Sequence, residues 1–328
     1  MDSIPAVRKK PGEEIYVLGR RYVIVKAFHT GYNSAVYEAK NGKKGTEVLK
    51  IYGEGVSITT EQVGAFLIHI RDYEWHLRAA GVQLPPFDDR IITTNNGTGD
   101  TFSIVVIAPF MGDNYETALK QAENGEACVK IMRLIFRSLG NLFSSTKCKR
   151  LKVGIDLIPR NFVGKRATYV DLVPPKIITG KKYLLEWPEV THPQTRQVGI
   201  YRHYDKVGVM HVLLVQMARL RPEFYPLYIT EIQRYYKRKK QNYALAQFDL
   251  RLVNRSINGQ AADAAIIREL GFRQIYDLRE IACYYAHRGL ISNEQLEDVF
   301  KTTHFQDKPL TKAVLRQVRN LLIKAITD

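Results

Sequence analysis

Gly154-Ile155-Asp156-Leu157-Ile158-Pro159-Arg160-Asn161 … Tyr169-Val170-Asp171-Leu172 is the stretch on which the reading of this chain turns. Asp156 and Asn161 stand five apart, and Asp171 follows a short run of strand character. Acidic residues before buried strands are common, so this spacing gains weight only from what surrounds it. The surroundings are basic. Lys147, Lys149, Arg150, Lys152, Arg160, Lys165, Arg166, Lys176, Lys181 and Lys182 crowd the same segment, against Asp156 and Asp171 as its acidic residues.

The whole 328-residue chain is basic as well, with a formal net charge of +16. Such a surplus speeds encounter with nucleic acid, anionic lipid or phosphorylated metabolites, and it also serves solubility. A hydrophobic content of 45% and a charged content of 25% exclude a disordered chain. Met1–Glu14 is polar, with no apolar core for secretion, and no apolar run approaches the ~20 residues that cross a bilayer. Cys128, Cys148 and Cys283 are too few and too scattered for a disulfide framework or a zinc site. The expectation is a cytoplasmic protein with no membrane span.

Composition shifts along the chain. Tyr22–Val25, Ala35–Ala39 and Val48–Tyr52 are β-branched and aromatic, divided by Gly31 and by the hairpin signal Asn41-Gly42. A helix follows, with Thr59-x-x-Gln62 as a capping box and Val63, Phe66, Leu67, Ile70 and Leu77 on one face. Ile91–Thr94 and Phe102–Ala108 read as two further strands. After a turn of Pro, Gly and Asp at 109–114 the pattern is helical: Cys128 to Leu142, Tyr204 to Arg219, then Ala262–Leu270, Ile275–His287, Asn293–Phe300 and Thr311–Ile326. The expected class is α+β, with a tail at 1–15, a β-rich lobe at 16–108, a helical lobe at 109–250 and a helical extension at 251–328.

Four residues in the first lobe matter alongside the aspartates. Gly31, in Thr30-Gly31-Tyr32-Asn33-Ser34, lets a backbone approach a ligand closely, with Ser34 as an extra donor, although an ordinary hairpin has the same composition. Lys50 shares one strand face with Val48, opposite Leu49 and Ile51; a lysine on an edge strand also simply points to water. Glu74 falls four residues after Ile70 and three before Leu77. A carboxylate there needs a partner if buried, or else marks a stripe edge that reaches water.

The order of parts (glycine turn, strand lysine, helix glutamate, Asp-x4-Asn, then Asp) resembles the protein-kinase-like superfamily. It is most similar to the aminoglycoside phosphotransferase, choline kinase and small atypical kinase branches. Thr30–Tyr37 is similar to their short nucleotide loop, Leu77–Pro85 to their helix-to-strand exit, and Asp205-Lys206-Val207-Gly208-Val209 to the anchor helix under the catalytic loop. The resemblance spans about Tyr22 to Leu220. It implies a bilobal kinase-like fold, with a small antiparallel sheet lobe carrying one helix and a larger helical lobe. It also implies ATP and Mg²⁺ as cofactors.

In that frame Asp156 is the catalytic base, Lys50 holds the phosphates and Glu74 orients it. Gly31 and Ser34 line the nucleotide loop, and Ile107, Ala108 and Phe110 face the adenine by their backbone. Asn161 and Asp171 bind the metal, and Asp205 braces the loop from beneath. Two departures stand out: no His or Arg precedes Asp156, and Leu172-Val173-Pro174-Pro175 replaces Phe-Gly after Asp171. Those neighbours position the aspartates rather than perform chemistry. The acceptor expected is an anionic small molecule, RNA or protein, met by Arg160, Lys165 and Lys176. A second patch, Arg234, Lys237, Arg238, Lys239 and Lys240 among Tyr235, Tyr236 and Tyr243, suits nucleic acid, or else is the solvated face of a helix with aromatic anchors behind it. The alternative to a kinase is a catalytically degenerate scaffold that binds nucleotide or RNA.

Overall fold

The computed structural model describes residues 9–17, 19–28, 34–42, 45–52, 60–95, 100–146, 148–172, 178–179, 182–183, 200–250, 274–303 and 312–327. The chain divides into two units, 1–75 with 84–112 and 76–83 with 113–328. Gly31 and Lys176 lie outside the described residues, as does the helix expected at 262–270.

The first unit is a six-stranded antiparallel sheet with one helix. Its strands are β1 (Glu14–Val17), β2 (Arg20–Ala27), β3 (Ser34–Lys40), β4 (Thr46–Tyr52), β5 (Asp88–Asn95) and β6 (Asp100–Pro109), in the order β1-β2-β3-β4-β6-β5. Period-two alternation builds its core: Tyr22 and Ile24, then Ala35, Tyr37 and Ala39, then Leu49 and Ile51, then Val105 and Ile107 bury themselves together. The sheet begins inside the stretch expected as a tail. Lys9 N–H donates to the Tyr37 hydroxyl at 3.2 Å and Gly12 N–H to the Ile24 carbonyl at 2.8 Å.

Helix α1 (Thr60–Ala79) buries Phe66, Ile70, Tyr73 and Leu77. Those four fall within a narrow arc at 100° per residue, and Glu74 lies just beyond its Ile70 edge. Glu74 stands at the margin of the stripe and is half-buried.

The second unit is mainly helical: α2 (Tyr115–Lys120), α3 (Gly125–Ser138), α4 (Lys206–Leu220), α5 (Tyr225–Arg238), α6 (Gln274–His287), α7 (Asn293–Thr302) and α8 (Lys312–Thr327). It also carries the short hairpin of β7 (Phe162–Val163) and β8 (Thr168–Tyr169) and the pair β9 (Ile178–Thr179) and β10 (Lys182–Tyr183). Helix α4 is apolar all round and buries almost every residue, which marks it as the central pillar. It touches α2, α5 and α6. A sheet unit with one helix followed by a helical unit is the α+β class expected from the sequence. No helix among the described residues is long and apolar enough to cross a membrane.

Candidate active site

Apolar flanks hold the loop that carries Asp156. Ile155 and Leu157 are fully buried, and Ile158 packs with Val212, Ile275 and Tyr276. The loop is laced to the turn before α4: Leu151 N–H donates to the Tyr204 carbonyl at 2.7 Å, Ile155 N–H to the His203 carbonyl at 3.0 Å, and Lys206 N–H to the Lys149 carbonyl at 3.2 Å. Asp205 caps α4, its Oδ1 accepting the Val207 and Gly208 N–H groups at 2.9 Å each. Gly208 has no room for a side chain, since a Cβ there would lie 2.0 Å from the Tyr201 carbonyl oxygen.

After Asp156 the chain makes a 3-10 turn at Pro159–Asn161 and enters the β7–β8 hairpin, whose turn holds Gly164 and Ala167 at positive φ. The hairpin returns the chain, and Val170 N–H bonds the Asn161 carbonyl at 2.9 Å. Asp171 thereby comes back beside Asn161. The Asn161 amide nitrogen lies 3.0 Å from the Asp156 carbonyl oxygen and 3.5 Å from Asp171 Oδ2. The Tyr169 hydroxyl accepts the Asp156 N–H at 3.3 Å. Asp156, Asn161 and Asp171 are one cluster.

Sequence reasoning missed Arg202. Its guanidinium grips Asp156 with two prongs, Nε to Oδ1 at 2.9 Å and Nη2 to Oδ1 and Oδ2 at 2.8 and 2.6 Å. His203 Nδ1 stands 3.9 Å from the same carboxylate. Burial pushes the Asp156 carboxyl up, but Arg202, His203 and Arg160 outweigh it and hold the pKa below its usual value. His203 is pushed down to about 4, chiefly by desolvation, with Asp156 opposing and Arg202 adding to the shift. The cation absent from the positions just before Asp156 in sequence is thus supplied in space by the turn at 200–203. The only advance signal for it was that a carboxylate on so apolar a loop demands a cation.

A buried network fixes that turn. The Tyr201 hydroxyl and His211 Nδ1 are 2.8 Å apart, His211 Nε2 meets Glu280 Oε2 at 2.7 Å, and the Tyr225 hydroxyl donates to Glu280 Oε1 at 2.6 Å. His211, Asp277 and Glu280 offer metal-ligand atoms within 4.8 Å of one another. His211 Nε2 approaches Glu280 Oε2 closely but without the alignment of a hydrogen bond.

In the sheet unit, Lys50 pairs in register with Val36 and Val106 on a central strand, not on an edge. Its ammonium lies 5.1 Å from the Tyr52 ring centre, and Tyr52 meets Phe66 of α1 edge-on. Lys50 therefore faces the side of the sheet that α1 covers. Ser34 opens β3 opposite Tyr52, and its side chain lies outside the described residues. Ile107 and Ala108 continue β6, while the Phe110 N–H is already taken by the Thr46 carbonyl at 3.1 Å. Phe110 can offer a nucleotide its carbonyl or ring, but not that donor. Arg160 and Lys165 are exposed around the Asp156 loop.

No family model matches this sequence, and no curated protein matches it. Among solved structures, the chain is similar to vaccinia related kinase 3, at 12% identity and a TM-score of 0.32, over 52% of this chain and 53% of that one. The likeness spans about half the length of that protein.

Proposed function

We propose that this chain is an ATP- and Mg²⁺-dependent phosphotransferase that moves the γ-phosphate onto a hydroxyl of an anionic acceptor. The observation that carries the reading is the Asn161 side chain, set between the Asp156 carbonyl and the Asp171 carboxylate. With its nitrogen engaged there, its oxygen and the Asp171 carboxylate form an all-oxygen donor set, the type a hard cation such as Mg²⁺ takes. When bound, Mg²⁺ neutralises charge on the phosphate oxygens.

Asp156 stays ionised near neutrality and is a weak proton acceptor, because its pKa is depressed. Its part is to accept a hydrogen bond from the acceptor hydroxyl and hold it in line, which a largely dissociative transfer needs more than a strong base. Arg202 fixes the rotamer of Asp156, and of the carboxylate's roughly four lone-pair sites its contacts leave room for the hydroxyl. Arg202, Arg160 and Lys165 set the positive field that favours an anionic acceptor, whether a phosphorylated metabolite, RNA or a protein. In the sheet unit, Lys50 is assigned to the α- and β-phosphates and Glu74 to orienting it. The backbone at Ile107 and Ala108 is assigned to the adenine.

One observation favours a second reading. The two-pronged Arg202 grip also suits a chain whose Asp156 is permanently closed off, a scaffold that binds nucleotide or RNA without transfer. Incubation with Mg²⁺ and γ-labelled ATP, over acceptors that include phosphorylated metabolites, RNA and proteins, separates the two. Transfer by the native chain that is lost in Asp156→Ala supports the phosphotransferase. ATP binding with no transfer to any acceptor supports the scaffold.

A further inference from the structure

Helices α3 and α5 lie against each other in the helical unit and present two basic ridges. On α3, Lys130, Arg133 and Arg137 recur at spacings of three and four; on α5, Glu231, Arg234 and Arg238 do the same, so each set lines one helix face. Two adjoining recesses open between and beside them, of about 210 and 360 Å³, and Arg133 and Arg137 wall both. The first adds Arg234 and Arg238, the second adds Lys130. Five cations thus face two carboxylates, Glu126 and Glu231.

Glu231 makes this more than a charged surface. The residue is 5% exposed, and it binds Arg133 through Nε at 2.9 Å and Nη2 at 2.7 Å while also pairing with Arg234. Both guanidinium groups are held in place and keep further donors for a ligand. Among the described residues Arg137 and Arg238 have no carboxylate partner. The Arg238 guanidinium rests 5.6 Å above the Tyr235 ring, itself stacked on Phe136 at 4.3 Å. Like charges gathered this way repel one another, and a bound anion relieves that repulsion.

We propose that this groove is a binding site for a small anion carrying two neighbouring phosphate groups, of which pyrophosphate is the simplest. The two recesses with shared arginine walls match two linked phosphates, and guanidinium forks match phosphate oxygens. Nucleic acid fits less well. Tyr235 and Tyr236 are 1% and 0% exposed and give bases no platform, so recognition falls to the phosphates alone. No residue of the groove belongs to the Asp156 loop, and the site stands whether or not that loop transfers phosphate.

Titration calorimetry of the full chain with inorganic pyrophosphate tests this, with orthophosphate and a single-stranded RNA oligonucleotide as comparison ligands. Arg137→Gln with Arg238→Gln, both exposed, should weaken pyrophosphate binding roughly tenfold or more. Lys237→Gln with Lys240→Gln removes the same charge from the end of α5 outside the groove and should leave affinity within about twofold. Orthophosphate should bind more weakly than pyrophosphate to the native chain. Equal losses in the two double variants would show general attraction to polyanions and overturn the proposal. So would RNA binding that depends on Arg137 and Arg238 without pyrophosphate binding. Thermal melts of both double variants, unchanged from the native chain, exclude unfolding as the cause.

Discussion

Asp156 is held by its neighbours rather than by solvent, and that has measurable consequences at single residues. Arg202→Gln leaves a largely buried carboxylate without its cation and should cost roughly 3 kcal/mol at neutral pH. The cost should shrink in acid, where Asp156 protonates. His203 gives a separate signature. Its pKa falls from 6.5 to about 4 on folding, so the unfolded chain binds the extra proton first as pH drops. Stability from this group is complete above pH 6.5 and is lost as pH falls toward 4. Asp156, with its folded pKa depressed, loses its contribution in the same direction at still lower pH. Denaturant melts across this range should show the slope, and His203→Gln should flatten it between pH 6.5 and 4; an unchanged slope would mean that His203 titrates normally. Of these residues the sequence exposed Asp156, Asn161 and Asp171, since short-range spacing and a hairpin bring them together. Arg202 is 46 residues from Asp156, and no local pattern announces a contact that only the tertiary fold makes.

Among the elements, α4 decides where the site stands. Its cap, Asp205, ties the helix to the loop through neighbouring backbone bonds, so the cap sets both helix start and loop height. Asp205→Ala should cost about 1–2 kcal/mol, and Asp205→Asn much less, because asparagine also caps. Gly208→Ala should be worse, roughly 3 kcal/mol, since the new methyl meets a backbone carbonyl that cannot swing aside. Chemical denaturation of the three variants checks that ranking; Gly208→Ala as mild as Asp205→Asn would contradict the close packing. These elements were legible because apolar periodicity is local: β2 to β6, α1, α4 and α6 to α8 fall where the pattern puts them. Two details were not. Tyr73 joins Phe66, Ile70 and Leu77 in the buried stripe of α1, and hydrophobic pattern alone undervalues a tyrosine because of its hydroxyl. Strand β1 is short and half polar, and it is defined by pairing with β2 rather than by its own composition.

At the scale of the molecule, a net charge of +16 is not spread evenly in its effect. Part surrounds the Asp156 loop, and part is gathered by Glu231 into the groove between α3 and α5. The patch on α5 read from the sequence divides in two: its tyrosines 235 and 236 anchor the helix inward, while Arg234 and Arg238 line a recess with Arg133 and Arg137 of α3, about a hundred residues away in sequence. The central claim is that Asn161 and Asp171 hold the metal for a bound nucleotide. Its most direct test is the affinity of the purified chain for ATP, measured by titration calorimetry with and without Mg²⁺. The claim predicts that Mg²⁺ tightens ATP binding in the native chain and in Asp156→Ala, and that Asp171→Asn abolishes this dependence while keeping its melting profile. ATP affinity that ignores Mg²⁺, or that depends on it equally in Asp171→Asn, would contradict the claim.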